Sequence, residues 1–361
     1  MPQISASSFL DRTFRAICPQ DNEWRDRARA RLSELTMPFW ALGDLMDLAV
    51  DLAGITRSLH PPVARKRVVV MVGDHGVATE GVSQYPVEVT GQMLRNMVNG
   101  GAGINALASQ AGAEITLVDV GAKEDFSDLV ASGALIAKKI GHGTDNMLLG
   151  PAMSRTHAVM AVEAGIEIAN QLADSTDLFA TGEIGIGNTT PSSAVAAVIT
   201  GRPVIELTGR GTGLDDAGLA HKVAVVEAAL QKNRPDAKDG LDILAKVGGF
   251  ELGAIAGLIL GAAAKRKPVV VDGLISTAGA LIAYKLEPFV RDFIVCGHGS
   301  AEPGHAPMCA FLGKKPLLQL GMRLGEGTGA ALAFNLVEAA ARVLTQMATF
   351  AEASVSTARK N

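Results

Sequence analysis

The stretch Val68-Val69-Val70-Met71-Val72-Gly73-Asp74-His75-Gly76-Val77 decides how this chain is read. Its unbroken apolar run, with no polar alternation, fits a strand buried on both faces, as in a parallel sheet. Gly73 stops the run and opens a turn. Outward from here, strand-like and helix-like stretches alternate. Helical spacing covers 87–110 and leads into a strand at 115–120; 154–173 leads into 178–181; 251–264 leads into 269–272; 275–284 leads into 293–296. Helices are also expected at 191–199 and 217–231, with a last long one at 328–349. Alternation of this kind predicts an α/β fold: a parallel sheet with helices on both faces.

The ends read differently. Asp21 is placed to cap a helix running through Trp24, Ala28, Leu32 and Leu35. A second helix follows Met37-Pro38, with Leu42, Leu45, Met46, Ala49 and Leu52 at helical spacing, and Pro61-Pro62 closes the section. The helical head (1–60) and the helical tail (326–361) are expected to pair as a small unit beside a large α/β unit (61–325). The tail after Ala353 reads as frayed.

Composition narrows the function classes. Apolar residues make up 48% of the 361 and charged residues 19%, which excludes disorder as the main state. A net charge of −4 gives no electrostatic reason to expect nucleic acid. Aromatics at 4% argue against stacking platforms for bases or sugars. Cys18, Cys296 and Cys309 form no CxxC and read as reduced thiols of a cytoplasmic protein. The N-terminus lacks the pattern of a signal peptide. The longest apolar run, 252–264, falls short of the ~20 residues a membrane span needs.

Glycine clusters follow the expected strand ends, where open α/β sheets bind ligands. They are Gly73-Asp74-His75-Gly76, then Gly182-Glu183-Ile184-Gly185-Ile186-Gly187-Asn188-Thr189-Thr190-Pro191, then Gly273, then Gly297-His298-Gly299-Ser300. Bare backbone N–H groups at a helix start form an anion cradle. Any one cluster is ordinarily a plain sheet-to-helix turn; four in one chain favour a phosphorylated ligand. Two acids sit among glycines: Glu183, and Glu326 in Leu324-Gly325-Glu326-Gly327-Thr328-Gly329. Partial burial there would raise a carboxyl's pKa and suit it to act as a base. The competing reading of Glu326 is an acid stabilised at a helix N-terminus, worth ~0.3–1 kcal/mol. Position alone does not separate the two.

Common signatures fail. There is no GxxxxGK[ST], no dinucleotide GxGxxG, no HExxH and no GxSxG. A metallophosphatase would ordinarily begin with DxH. None of the seven histidines has an aspartate two residues before it, and His75 and His298 read as turn residues rather than ligands.

Taken together these strings resemble one family, the nicotinate-nucleotide–dimethylbenzimidazole phosphoribosyltransferases. The matching pieces are Gly73-Asp74-His75-Gly76-Val77 with Gly81-Val82-Ser83; Gly143-Thr144 with Pro151-Ala152-Met153; 183–191; 208–216; 248–253; Asp272-Gly273-Leu274-Ile275-Ser276-Thr277; Ser300-Ala301-Glu302-Pro303-Gly304-His305; and 320–329. They occur in the family's order from about residue 40 onward. The resemblance implies a Rossmann-like domain plus a small helical domain from both chain ends, assembled as a homodimer. It implies transfer of 5-phosphoribosyl from nicotinate mononucleotide to 5,6-dimethylbenzimidazole, giving α-ribazole 5′-phosphate and nicotinate, in the lower-ligand branch of cobalamin synthesis. It places the catalytic base on Glu326 and further catalytic groups on Glu183 and Lys222. It places Ser83 and Gln92 at the benzimidazole. Leu324 and Gly325 of the glutamate string join the site. Leu274 stands where an aromatic is common in the family, and Ile184 where methionine is common.

The chemistry fits these residues without a metal or cofactor. A pyridinium leaves as a neutral ring nitrogen and needs no acid. It carries no pyrophosphate that would call for Mg²⁺. The acceptor's second nitrogen must lose a proton, which one carboxylate can take. The turn holding Gly185, Gly187, Asn188, Thr189 and Thr190, with Ser300, is expected to hold the 5′-phosphate, and Lys222 to pair with it or bridge the acids. The bland reading of Lys222 is a solvated helix face. The alternatives for the whole chain are a metal-dependent phosphohydrolase and a non-catalytic nucleotide-binding protein of similar fold.

Overall fold

A computed structural model describes residues 8–357. Its elements run α1 (Phe9–Ala16), α2 (Asn22–Ser33), α3 (Asp44–Thr56), β1 (Lys66–Gly73), α4 (Val89–Val98), α5 (Gly103–Ala111), β2 (Ala113–Gly121), α6 (Ser127–Ala131) and β3 (Ile136–Ala137). They continue α7 (Arg155–Leu172), β4 (Leu178–Ile184), α8 (Thr189–Thr200), α9 (Val204–Leu207), α10 (Asp216–Asn233), α11 (Gly240–Val247), α12 (Phe250–Ala264), β5 (Val269–Val271), α13 (Leu274–Leu286), β6 (Ile294–Cys296), α14 (His305–Leu312) and α15 (Thr328–Gln346).

The sheet order is β3-β2-β1-β4-β5-β6, and every neighbouring pair is parallel. That is the doubly wound order of a Rossmann-like sheet, as the alternation predicted. Its direction reverses between β1 and β4, and a crevice opens outside the C-terminal ends of these strands. The all-apolar run is buried because alternate residues feed opposite cores. Val69 and Met71 face a core shared with α7, α8, α12 and α13; Val68, Val70 and Val72 face a core shared with α2, α3, α5 and α15.

The chain ends meet in the second core. Arg31 Nε donates to the Leu344 carbonyl at 2.9 Å, and Leu35 bridges to Thr349. Asp21 caps α2 as expected, its side chain accepting from the Glu23 N–H. Leu35 lies beyond that helix, and Leu42 sits in the turn before α3, 42% exposed.

Two further expectations on helix extent are corrected. The single helix expected at 87–110 is two, broken at Asn99-Gly100-Gly101, where Gly100 takes a left-handed φ of +79°. Apolar spacing continues through the break, so periodicity alone misses it. The last helix ends at Gln346, and Thr349 instead joins the bridge to Leu35. The apolar run 252–264 is the buried core of α12, wedged between α7 and the sheet. Among the described residues no helix is long and apolar enough to cross a membrane.

Candidate active site

A cavity of about 540 Å³ opens at the C-terminal ends of β4 and β5. One wall is Glu183 and the turn through Gly185, Ile186, Gly187, Asn188 and Thr189; others are Val82-Ser83, Gly211-Thr212, 272–275, His298, Ser300, Glu302 and 323–325. Of the expected site residues, Ser83, Glu183, Gly185, Gly187, Asn188, Thr189, Ser300, Leu324 and Gly325 therefore share one wall system. Lys222 stands behind Thr189, to which it donates; Thr190 is buried in α8 and does not line the cavity; and Glu326 follows Gly325. Gln92 lies exposed on α4 and does not line this cavity.

Glu183 is the next-to-last residue of β4, opposite Met71 of β1. Its carboxyl accepts from the Asn188 side-chain amide and from the Glu326 backbone N–H. Burial, reinforced by the nearby Asp272 charge, pushes its pKa up to about 8. The glycines around it serve packing as well as ligand access. A Cβ on Gly182 would stand 2.5 Å from the Glu326 carbonyl, and one on Gly185 would stand 2.1 Å from the Gly73 carbonyl.

Gly325, Glu326 and Gly327 are consecutive left-handed residues, with φ of +87°, +62° and +91°. For glutamate this conformation costs roughly 1–2 kcal/mol. The turn is held by Asp272, whose carboxylate accepts from the N–H groups of Gly327, Gly329 and Ala330 at 3.2, 2.8 and 3.0 Å. His298 Nε2 lies 3.5 Å from the same carboxylate. The Glu326 carboxylate turns to another helix: Oε2 accepts from the Ile104 N–H, 3.0 Å away in the first turn of α5. Burial raises its pKa, and that N–H opposes the rise. The acid is thus not a cap of the helix it precedes.

Lys222 is no solvated surface lysine. It is fully buried on α10, its Nζ donates to Thr189 Oγ1 at 2.6 Å, and burial lowers its pKa to about 8 against the pull of Glu302. Thr189 begins α8, so the ammonium and the helix N-terminus converge on one corner of the cavity.

Sequence reasoning passed over Asp272, His298, Glu302 and Arg323 as site residues. Asp272 carried a readable signal, an acid at a strand end before a glycine. Arg323 carried none: it reaches the cavity through a loop, where Nη1 donates to the Gly211 carbonyl at 3.0 Å. Among the described residues no group of three His, Cys, Asp or Glu side chains is arranged to hold a metal ion.

An anion corner, a central carboxyl and a second carboxyl on the adjoining turn suit transfer of a phosphorylated sugar. The comparisons agree on the class: a family model described as Phosphoribosyltransferase matches residues 17–355. A relative from Desulfotalea psychrophila, named nicotinate-nucleotide–dimethylbenzimidazole phosphoribosyltransferase, is 58% identical over 98% of this chain and 100% of its own. One of the same name from Syntrophotalea carbinolica is 59% identical over 97% of this chain and 99% of its own. A crystal structure of the enzyme of that name from Thermus thermophilus superposes with a TM-score of 0.88 at 43% identity, covering 94% of this chain and 100% of that one. The chain belongs to the nicotinate-nucleotide–dimethylbenzimidazole phosphoribosyltransferase family.

Proposed function

We propose that the cavity between the β4 and β5 loops transfers phosphoribosyl in a single displacement, with Glu326 as the base. The reaction is the family's: 5-phosphoribosyl passes from nicotinate mononucleotide to 5,6-dimethylbenzimidazole, giving α-ribazole 5′-phosphate and nicotinate, in the lower-ligand branch of cobalamin synthesis. The observation that carries the assignment is the pair of buried carboxyls, Glu183 and Glu326, joined through the Glu326 N–H but set in different surroundings. Glu326 has a helix N–H on its carboxylate and takes the proton from the acceptor's second nitrogen. Glu183, with a pKa near 8, is neutral in the ligand-free protein at pH 7 and is a poor nucleophile in that form. The arriving pyridinium favours its anion, which then stabilises positive charge growing at C1′.

The 5′-phosphate lies at the α8 N-terminus against the 185–190 turn, Ser300 and Lys222. Ser83 and Gln92 belong to the acceptor side, Ser83 on the cavity wall and Gln92 on α4, the helix before the one whose Ile104 N–H contacts Glu326. Leu324 and Gly325 bring that turn to the acceptor. The two chain ends form the small unit beside 61–325, supported over the described residues 8–60 and 326–357 by the bond of the Phe350 N–H to the Glu34 carbonyl at 2.9 Å; 1–7 and 358–361 lie outside the described residues. Homodimer assembly is supported by Phe39, 79% exposed beside an apolar groove that includes Met37, Pro38 and Phe350. A cytoplasmic location is supported by three unpaired cysteines.

Nicotinate release from nicotinate mononucleotide tests the reading. It is expected to require the benzimidazole and to persist in EDTA. Glu326→Gln should lower kcat by at least ~10² while donor binding survives. A Glu326→Gln enzyme turning over within a few-fold of the parent, or an activity lost to EDTA and restored by a divalent metal, overturns it.

A further inference from the structure

The cavity has three acidic side chains on its walls, Glu183, Asp272 and Glu302, and two of them are spoken for. Asp272 accepts three backbone N–H groups of the Glu326 turn. Glu183 accepts from Asn188 and Glu326. Glu302 is different. The residue is 8% exposed, it lines the cavity, and its buried Oε2 has no hydrogen-bond partner. The carboxylate is pressed against Gly209, where a Cβ would stand 1.8 Å from Oε2. Its charge faces Lys222, yet that ammonium gives its hydrogen bond to Thr189.

A buried carboxylate oxygen left unpartnered costs free energy, and rotation of this side chain away from Gly209 would bring it to a ligand's donors in the cavity that the residue lines. The donor nucleotide offers two adjacent O–H groups on its ribose, and a carboxylate accepts two such donors side by side. Neither of the other wall acids has comparable accepting capacity left. Resting on the phosphoribosyl donor proposed above, we infer that Glu302 reads the ribose 2′- and 3′-hydroxyls and sets the preference of this site for ribose over deoxyribose. It is a specificity residue that touches substrate and does not take part in proton transfer.

The test is equilibrium binding of the donor without acceptor, so that the intrinsic reactivity of a deoxy sugar does not enter. The full-length protein is titrated with nicotinate mononucleotide and with its 2′-deoxy and 3′-deoxy analogues. The parent is expected to bind the ribonucleotide ~10- to 10²-fold more tightly than at least one deoxy analogue, the range of a hydrogen bond to a charged group. Glu302→Gln should weaken ribonucleotide binding by a similar factor and leave the deoxy analogues nearly unchanged, collapsing the ratio. Glu302→Asp should fall between, and it serves if the glutamine variant does not fold. A parent that binds and turns over the donor without discriminating overturns the inference. So does a variant that weakens ribo and deoxy nucleotides equally, which makes Glu302 a counter-ion for Lys222. A parent that neither binds nor turns over the donor overturns the proposed function itself, a separate result.

Discussion

At the scale of the residue, burial shifts the pKa values of Glu183 and Lys222 toward each other in neighbouring parts of one site. Glu183 has a folded pKa of about 8 against 4.5 for the free carboxyl. Between those values the folded state keeps a proton that the unfolded chain has lost. The stability this gives is complete below about pH 4.5 and is lost as pH rises through 8. Lys222, lowered from 10.5 to about 8, acts in the next window: there the unfolded chain holds the extra proton, so stability rises with pH between 8 and 10.5. The Tm difference between the ligand-free parent and Glu183→Gln is therefore expected to move against the parent as pH rises from 5 to 8. A difference constant across that range would place the Glu183 pKa outside it. The sequence marked both residues through the family strings. It did not reveal that Glu326 adopts a left-handed φ, because its glycine neighbours announce a loop and leave the conformation of the residue between them open.

At the scale of the element, the pair α7 and α12 depends on glycine in a way composition hides. A Cβ on Gly257 would lie 1.9 Å from the Val162 carbonyl oxygen, and one on Gly165 would lie 2.0 Å from the Ala254 carbonyl. Glycine to alanine inside a helix ordinarily stabilises by roughly 0.5–1 kcal/mol. At Gly257 backbone contact reverses the sign, and Gly257→Ala should destabilise by about 2–3 kcal/mol in urea unfolding. Gly253→Ala, whose Cβ meets only side-chain atoms at 2.7 and 2.9 Å, should cost less. Equal and small effects at both positions would contradict this packing. The apolar run that becomes α12 was readable as buried. Its close contact with α7 was not, because a glycine chosen for approach and one chosen for a turn look alike in sequence. The break between α4 and α5 escaped for the opposite reason, since apolar spacing runs across it.

At the scale of the whole molecule, alternation of strand and helix predicts a parallel sheet, and the strand ends predict where ligands lie. The strand order is not contained in that pattern. It follows from which strands pair, and it puts the β1 and β4 loops side by side at the reversal of the sheet. The same topology explains why one cavity is lined from loops as far apart in the chain as 82–83, 183–189, 272–275 and 323–325. Short elements such as β3, α11 and α14 carry too few residues to show a period. Arg323 reaches the site by a loop path that local patterns do not encode.

In the proposed reaction the acceptor, with Glu326 beside its second nitrogen, attacks from the face of C1′ opposite the departing pyridinium, and Glu183, held by Asn188 and the Glu326 N–H, stabilises charge at C1′ rather than attacking it. The displacement then inverts C1′ of a β-riboside donor. Proton NMR of the product purified from nicotinate mononucleotide and 5,6-dimethylbenzimidazole reads the anomeric configuration directly. The account predicts the α-riboside. A β-riboside would contradict it and require a ribosyl intermediate on Glu183.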